Sequence, residues 1–174
     1  MMAEEILITK IDQMFIDDML KLQKQAIENG NDIMPSSKEV YLRAFQFQNF
    51  VYGLKKCDTN ELLGFCNCSV PTRNAKINLG RNRVPDNELD FVGHINTIII
   101  DKNFTGHGYG KQIIQKVLDE FKSQNITHIF TIVSPQNMRS EKLFSHFGFS
   151  VIETIAYDGN DRNILKLKED YYEN

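Results

Sequence analysis

Apolar and polar positions in the first 50 residues follow two different periods, and each period predicts an element of secondary structure. Apolar residues in the 6–11 run are typical of a strand. From 15 to 27 they recur near helical spacing, which predicts a helix that ends at Asn29-Gly30. A second helix is predicted over 38–47, capped by one of the serines at 36–37. Its apolar residues include Val40, Leu42 and Phe45.

The rest of the chain reads as six short β-type runs, separated by turns and by two helices. The runs cover residues 50–56, 62–70, 90–100, 128–133, 149–156 and 162–167. Polar turns at 57–60 and 158–161 predict that the runs beside them form hairpins. The helix after the 90–100 run carries one apolar stripe, formed by Ile113, Ile114, Val117, Leu118 and Phe121. Because a helix separates them, the 90–100 and 128–133 strands are predicted to be parallel neighbours.

Together these elements predict an α+β fold in which helices are layered on one central sheet. The sheet is expected to be mixed but mostly antiparallel, with seven strands and about four flanking helices. The predicted order is strand, two helices, three strands, helix, strand, helix and two strands. A chain of 174 residues with 41% hydrophobic and 25% charged content is ordinary for one globular domain, which is expected to span 1–174.

Charge and cysteine usage narrow the classes of partner. A formal net charge of −3 favours neither nucleic acid nor an anionic membrane surface. Glu4 and Glu5 stand where a targeting segment would be basic, and no apolar stretch approaches bilayer-spanning length, so a soluble cytoplasmic protein is expected. Cys57, Cys66 and Cys68 lack metal-ligand spacing and are expected to be buried thiols. A homodimer, the commonest closed assembly, is kept as an option.

A glycine-rich turn joins the 90–100 strand to the helix that follows. Gly106, Gly108 and Gly110 allow a tight turn and a close approach of the backbone to a ligand. The first N–H groups of the following helix have no partner within the helix, and its dipole favours an anion at that end. The turn therefore predicts a phosphate-binding site.

Three classes of phosphate loop compete for this turn. A Walker loop requires Ser or Thr after Gly110-Lys111 to reach magnesium, and Gln112 stands there. A dinucleotide fingerprint requires its third glycine at the position of Lys111. The glycine turn is also the only feature that supports a general nucleotide-binding function. The third class is an acyl-CoA loop, which fits a longer stretch.

The turn resembles motif A of the GNAT acyltransferases, which reads Arg or Gln, two residues, Gly, one residue, and Gly or Ala. The matching residues are Thr105, Gly106, His107, Gly108, Tyr109 and Gly110, with Thr105 departing from the usual Arg or Gln. A second stretch, 137–149, resembles the family's motif B. Its matching residues are Asn137, Ser140, Leu143, Phe144, Gly148 and Phe149. The two motifs, with a strand between them, make the chain similar to a GNAT N-acetyltransferase.

The resemblance implies acetyl-CoA, or another acyl-CoA, as co-substrate and no metal. In the family it binds where strands four and five splay apart. The implied cofactor-binding residues are Ile98, Ile99, Ile100, Thr105, Gly106, His107, Gly108, Tyr109, Gly110, Lys111, Asn137, Ser140 and Phe144. Ile98 and Ile100 would contact pantetheine through their backbone, and the turn amides would hold the pyrophosphate. Asn137 would otherwise cap its helix, and Lys111 would otherwise be an ordinary solvated side chain.

The resemblance also implies the reaction. An amine of a small molecule or peptide would attack the thioester directly in a ternary complex, while an N–H of the fourth strand stabilises the oxyanion. His94 lies at the strand position where some members carry Glu or His in a proton path, which makes it a candidate general base. Asn96 is a candidate for holding a water in that path. A merely exposed or hydrogen-bonded histidine is the alternative for His94, and both stay open.

Two further features leave alternatives open. Phe144 stands where the family usually has a Tyr that protonates the CoA thiolate, so water, Tyr109 or Tyr157 would have to supply that proton. A catalytically weak or inactive CoA-binding regulatory or interaction domain is therefore the alternative function. Residues 71–87 form a long charged stretch, which is interpreted as a solvated loop or as a basic recognition patch near the acceptor.

Overall fold

The fold was obtained as a computed structural model, which describes residues 3–173. The strands are β1 (Ile6–Lys10), β2 (Phe50–Lys56), β3 (Leu62–Ser69), β4 (Val92–Ile100), β5 (His128–Val133), β6 (Phe149–Tyr157) and β7 (Asn160–Leu167). The α-helices are α1 (Ile16–Glu28), α2 (Lys38–Arg43), α3 (Tyr109–Ser123) and α4 (Met138–His146). Short 3-10 helices cover Gln13–Phe15, Asp86–Phe91, Lys102–Phe104 and Tyr171–Glu173.

All seven strands form one sheet in the order β1-β2-β3-β4-β5-β7-β6. The pairs β1/β2, β2/β3, β5/β7 and β6/β7 are antiparallel, whereas β4 and β5 are parallel. The predicted α+β fold, with a mixed and mostly antiparallel sheet, is confirmed. The predicted parallel neighbours are also confirmed, since Val92 aligns with His128 and Ile95 with Thr131.

The chain divides into two compact units that interleave along the sequence. The first runs through Cys68 and also includes Thr97–Leu118, and the second comprises Ser69–Asn96 and the chain from Asp119 onward. Strand β4 and helix α3 each contribute residues to both units. The single domain expected over 1–174 stays a prediction.

In the first unit, a hydrophobic cluster includes Met19 and Leu22 of α1, Tyr41 of α2 and Phe65 of β3. Buried polar groups join α1 to the connection that precedes α2. The Tyr41 hydroxyl donates to Gln23 Oε1 at 2.6 Å, and the Ser36 amide donates to the same oxygen at 2.9 Å. Burial raises the pKa of Tyr41 to about 12, so its hydroxyl keeps the proton that it donates.

Helix α2 differs from its prediction in length and in its buried face. Ser37 caps it, accepting from the Val40 amide at 3.3 Å, but the helix ends at Arg43 rather than at 47. Phe47 has a φ of 55° and cannot continue a right-handed helix. The buried residue is Tyr41, while the predicted Val40 and Leu42 are exposed.

In the second unit, Val92 of β4, Phe130 of β5 and Ile164 of β7 share a second cluster. The β6/β7 turn contains only Asp158 and Gly159, both with positive φ, because Asn160 and Asp161 already pair with β6. Strand β4 begins at Val92 instead of residue 90, since the preceding Asp86–Phe91 stretch is a 3-10 helix.

Candidate functional site

Strand β4 lies inside the sheet, yet its middle residues are accessible. Asn96 is exposed, and Thr97 and Ile98 are half-buried, whereas the residues of β4 before Asn96 are buried. The pairing with β5 covers Val92 to Ile95, which is the part of β4 before this accessible stretch. The backbone from Asn96 onward is therefore the part of β4 that a ligand could approach.

The direction of the β4 backbone can be deduced from its contact with β3. The Asp101 amide donates to the Leu63 carbonyl at 2.7 Å. Because successive peptide groups of a strand point to opposite edges, the Ile98 and Ile100 groups point away from β3. This orientation agrees with the backbone contacts expected from Ile98 and Ile100. Ile99, whose side chain is buried, directs its peptide groups toward β3.

The glycine-rich turn between β4 and α3 requires glycine at two positions. Gly106 has a φ of 80° and Gly108 a φ of 82°, a region that residues with a Cβ rarely adopt. A Cβ at either residue would have no atom of the protein within 4 Å. The turn therefore leaves open space beside its backbone, as a phosphate cradle requires.

Helix α3 begins at Tyr109, directly after the turn. The Gln112 amide donates to the Gly108 carbonyl at 3.2 Å, so the amides of the first turn before Gln112 are those that a helix leaves without internal partners. The predicted stripe from Ile113 to Phe121 is completely buried. That burial anchors the helix, with its positive dipole end at the glycine turn.

The side chains of the turn differ in what they can offer a ligand. The Thr105 hydroxyl donates to the Lys102 carbonyl at 2.9 Å, so its proton is already used. The His107 and Tyr109 rings lie 6.1 Å apart with a tilt of 43°, and Lys111 is exposed. Cofactor contacts of these residues and of Gly110 stay predictions.

Asn137 caps helix α4, as the alternative to a cofactor role proposed. Its Oδ1 accepts from the Ser140 amide at 3.2 Å. This bond uses the carbonyl oxygen of the side chain and leaves the Nδ2 protons to donate elsewhere. Capping and cofactor contact are therefore compatible, and the contacts of Asn137 and Ser140 with the cofactor stay predictions.

Phe144 is 2% exposed and packs edge-to-face on Phe149, with their ring centroids 5.2 Å apart. A ring in this position supplies packing energy to the second unit. It has almost no free surface for a cofactor, and a phenyl ring has no proton to give a thiolate. The geometry favours a core role for Phe144, while its predicted contact with CoA stays untested.

His94 is 5% exposed, and its Nε2 accepts a hydrogen bond from the Leu79 amide at 3.0 Å. Burial lowers the pKa of His94 to about 4. A neutral imidazole that accepts at Nε2 carries its proton on Nδ1, so neither nitrogen is free to take another proton while this bond exists. The hydrogen-bonded alternative is therefore favoured, and the role of general base stays a prediction.

Asn96 lies on the accessible part of β4. Its Nδ2 donates to the Ser69 hydroxyl at 3.1 Å, at the point where β3 ends. The side-chain oxygen of Asn96 can still accept from a water or a substrate. Its role in positioning a water stays a prediction.

The charged stretch after β3 is neither a plain solvated loop nor a free basic patch. The Arg73 guanidinium binds Asp90 at 2.6 Å, and Arg81 donates to the carbonyls of Arg73 and Ala75. Arg83 binds Glu153 at 2.7 Å. Because these arginines hold the stretch in place, we treat Thr72–Leu89 as one folded unit and name it the Thr72–Leu89 segment.

The centre of the Thr72–Leu89 segment was missed by sequence reasoning. Asn78 and Leu79 are buried, and Asn78 Oδ1 accepts from the Gly80 amide at 2.9 Å. An Asn-Leu-Gly sequence within a charged stretch was the available signal, since Asn bonded to the backbone two residues on is typical of a tight turn. Its contact with His94 lies 15 residues away and has no local signature.

Comparison with known proteins identifies a family. The model of the acetyltransferase (GNAT) family matches residues 16–149. No curated protein sequence matches the chain. Within residues 3–173, no helix is long and apolar enough to cross a membrane.

Solved structures share the fold at low sequence identity. An N-acetyltransferase from Staphylococcus aureus is 16% identical, with a TM-score of 0.72 over 94% of this chain and 98% of that one. The yncA protein of Salmonella typhimurium, solved with its cofactor acetyl-CoA, is 13% identical, with a TM-score of 0.72 over 95% of each chain. A chain of the NatC complex bound to Gag peptide and CoA is 19% identical, with a TM-score of 0.68 over 94% and 98%.

Proposed function

The chain belongs to the GNAT family of acetyltransferases, and we propose that it transfers an acetyl group from acetyl-CoA to a primary amine. The acceptor would be a small molecule or a peptide, and the amine would attack directly in a ternary complex. The similar structures solved with acetyl-CoA and with CoA support acetyl-CoA as the donor.

The observation that carries the proposal is the glycine turn, with φ values near 80° at Gly106 and Gly108 and open space beside both. Amides of this turn and of the start of α3 would bind the pyrophosphate of CoA. The Ile98 and Ile100 peptide groups, which point away from β3, would pair with the pantetheine amides. This arrangement uses backbone groups alone, so it does not depend on the departure at Thr105.

The acyl transfer itself needs few side chains. The amine nitrogen attacks the thioester carbonyl, and a tetrahedral intermediate forms whose oxyanion accepts from a β4 amide. The intermediate collapses with cleavage of the carbon–sulfur bond, which releases the CoA thiolate and the acetylated amine. The amine proton passes to water, and the thiolate, whose pKa is near that of an ordinary thiol, takes a proton from solvent. Most of the acceleration would come from holding the two substrates together.

The acceptor class is supported by two observations of different weight. One similar structure was solved with a peptide, which favours a peptide amine. Within the second unit, the exposed Asn96 amide and the Ser69 hydroxyl offer neutral hydrogen-bonding groups beside the accessible part of β4. Neutral groups of this kind suit an uncharged amine or a peptide backbone, and they do not select a strongly acidic acceptor.

Calorimetry and a turnover assay test the proposal together. Titration with acetyl-CoA, CoA, ATP and NAD is expected to show binding of the two CoA compounds alone. Release of CoA thiol is then measured with spermidine, phenethylamine and a tripeptide with a free N-terminus. Tight acetyl-CoA binding with no turnover on any amine would contradict the transferase proposal.

A second function, a CoA-binding regulatory or interaction domain without catalysis, is favoured by Phe144. This buried ring occupies the position of the family's usual proton donor. Under that function, CoA and acetyl-CoA would bind with equal affinity and no acceptor would be acetylated. Turnover that is saturable in both substrates eliminates it.

A further inference from the structure

The Leu79 amide and the His94 ring form a buried contact between the Thr72–Leu89 segment and β4. The bond joins a backbone N–H of the Thr72–Leu89 segment to a side chain of β4, at 3.0 Å. Both residues are less than a tenth exposed. A buried amide that lost this acceptor would be left without a partner, which is costly in a low-dielectric interior.

The contact with His94 lies at the buried centre of the segment. Asn78 donates to the carbonyls of Thr72 and Leu89, at 3.3 and 3.4 Å, so it draws the two ends of the segment together. A Cβ on Gly80 would lie 2.5 Å from Val92 Cγ2, which shows how closely the backbone lies on β4. His94 is thus one of several attachments that define a single position for residues 78–80.

A histidine–carboxylate contact and an ion pair hold the outer parts of the same segment. Glu88 Oε2 lies 2.6 Å from His128 Nε2 at the start of β5, and Arg83 binds Glu153 of β6. The segment is therefore attached to β4, β5 and β6 by side chains. The segment begins shortly after Ser69 in the sequence, and the Ser69 hydroxyl accepts from Asn96 on the accessible part of β4.

We propose that His94 is a positioning residue, which fixes the Thr72–Leu89 segment as a preformed boundary for the acceptor amine and does not accept the amine proton. The proposal rests on the proposed acetyltransferase function. In this proposal, His94 Nε2 accepts the hydrogen bond from the Leu79 amide throughout turnover. The amine then enters uncharged or loses its proton to water, since the ring has no free lone pair for it.

Two substitutions separate positioning from base catalysis. His94→Gln keeps a side-chain oxygen near the place of Nε2. His94→Leu removes the acceptor and leaves the Leu79 amide without this hydrogen bond. Positioning predicts that His94→Gln retains kcat within about threefold, while His94→Leu raises the acceptor KM about tenfold or more. Base catalysis predicts instead that both variants lose about 100-fold or more in kcat. His146→Gln, at an exposed histidine of α4, is the matched control.

Two NMR measurements test the contact without any turnover. Nitrogen shifts of His94 are expected to show a neutral ring protonated at Nδ1 at pH 7. The Leu79 amide is expected to exchange at least about 10-fold more slowly in the wild type and in His94→Gln than in His94→Leu. Fast Leu79 exchange in the wild type, or a His94→Gln variant that loses about 100-fold or more in kcat, overturns the proposal. If the wild type acetylates no amine, the proposed function fails, and the NMR results still decide whether His94 holds the segment.

Discussion

The glycine-rich turn leaves open space beside its backbone, whereas in the Thr72–Leu89 segment the polar groups bind one another. Gly106 and Gly108 have no protein atom near the place of a Cβ, but Gly80 has three within 3.1 Å. The turn leaves room for a partner outside the chain, and the segment is held by the chain's own contacts. The difference teaches that the turn rests on local backbone geometry, while the segment rests on contacts between distant residues.

The largest expected effect concerns the pH dependence of the segment's attachment. The pKa of His94 is lowered from 6.5 to about 4 in the folded state, so the unfolded chain binds the proton first as the pH falls. Stability is therefore complete above pH 6.5 and declines as the pH falls through the folded pKa. The loss attributable to His94 is about 3 kcal/mol by pH 4. Urea denaturation at pH 7 and pH 4 measures it.

His94→Gln provides the control for that measurement, because glutamine does not titrate. The variant is expected to lose about 3 kcal/mol less than the wild type over the same range, while sharing every other titration. Equal losses in the two proteins would show that His94 is not the group responsible.

A substitution in the turn tests the other side of the comparison. Gly108→Val places a β-branched side chain at a φ of 82°, so the turn must relax and its amides no longer converge. Affinity for CoA is expected to fall about 10- to 100-fold in calorimetry, with the fold retained. Gly159→Val is the matched control, since Gly159 also has a positive φ and open space but lies in the β6/β7 turn. Equal losses of CoA affinity in both variants would show that the glycine turn does not bind the phosphate.

Removal of the Asn78 side chain, at the centre of the segment, is expected to leave the affinity for CoA unchanged. Asn78→Ala deletes the acceptor of the Gly80 amide and two donated bonds, which lowers the free energy of unfolding by about 2 kcal/mol. The acceptor KM is expected to rise, and the affinity for CoA to stay unchanged. Asn74→Ala, at an exposed asparagine of the same segment, is the control. A parallel loss of CoA affinity would contradict the separation of the two regions.

The smallest expected effect separates the two roles of Asn137. Asn137→Ala removes the cap of α4 and costs about 1 kcal/mol of stability, whereas Asn137→Asp keeps an oxygen for the Ser140 amide. If Nδ2 donates to the cofactor, both variants lose CoA affinity although only the alanine variant loses stability. An aspartate variant that binds CoA like the wild type would leave capping as the only role.

Several parts of the fold were predictable because their causes lie within a few residues. Strands β2 and β5 begin and end where strand-like runs were predicted, and the stripe of α3 is buried as its spacing required. The buried face of α2 was not predictable in this way. Tyr41 is buried and donates to Gln23, 18 residues earlier, whereas Val40 and Leu42 are exposed.

The candidate site divides in the same manner. Positive φ at Gly106 and Gly108 is a property that glycine permits at its own position, so the sequence alone predicted the turn. Only the tertiary structure decided that His94 binds the Leu79 amide, that Arg83 reaches Glu153 and that Phe144 lies against Phe149. Such partners depend on which elements the fold brings together. The sequence gives the type of each side chain. Its protonation and its free lone pairs depend on the residues that it contacts in the folded protein.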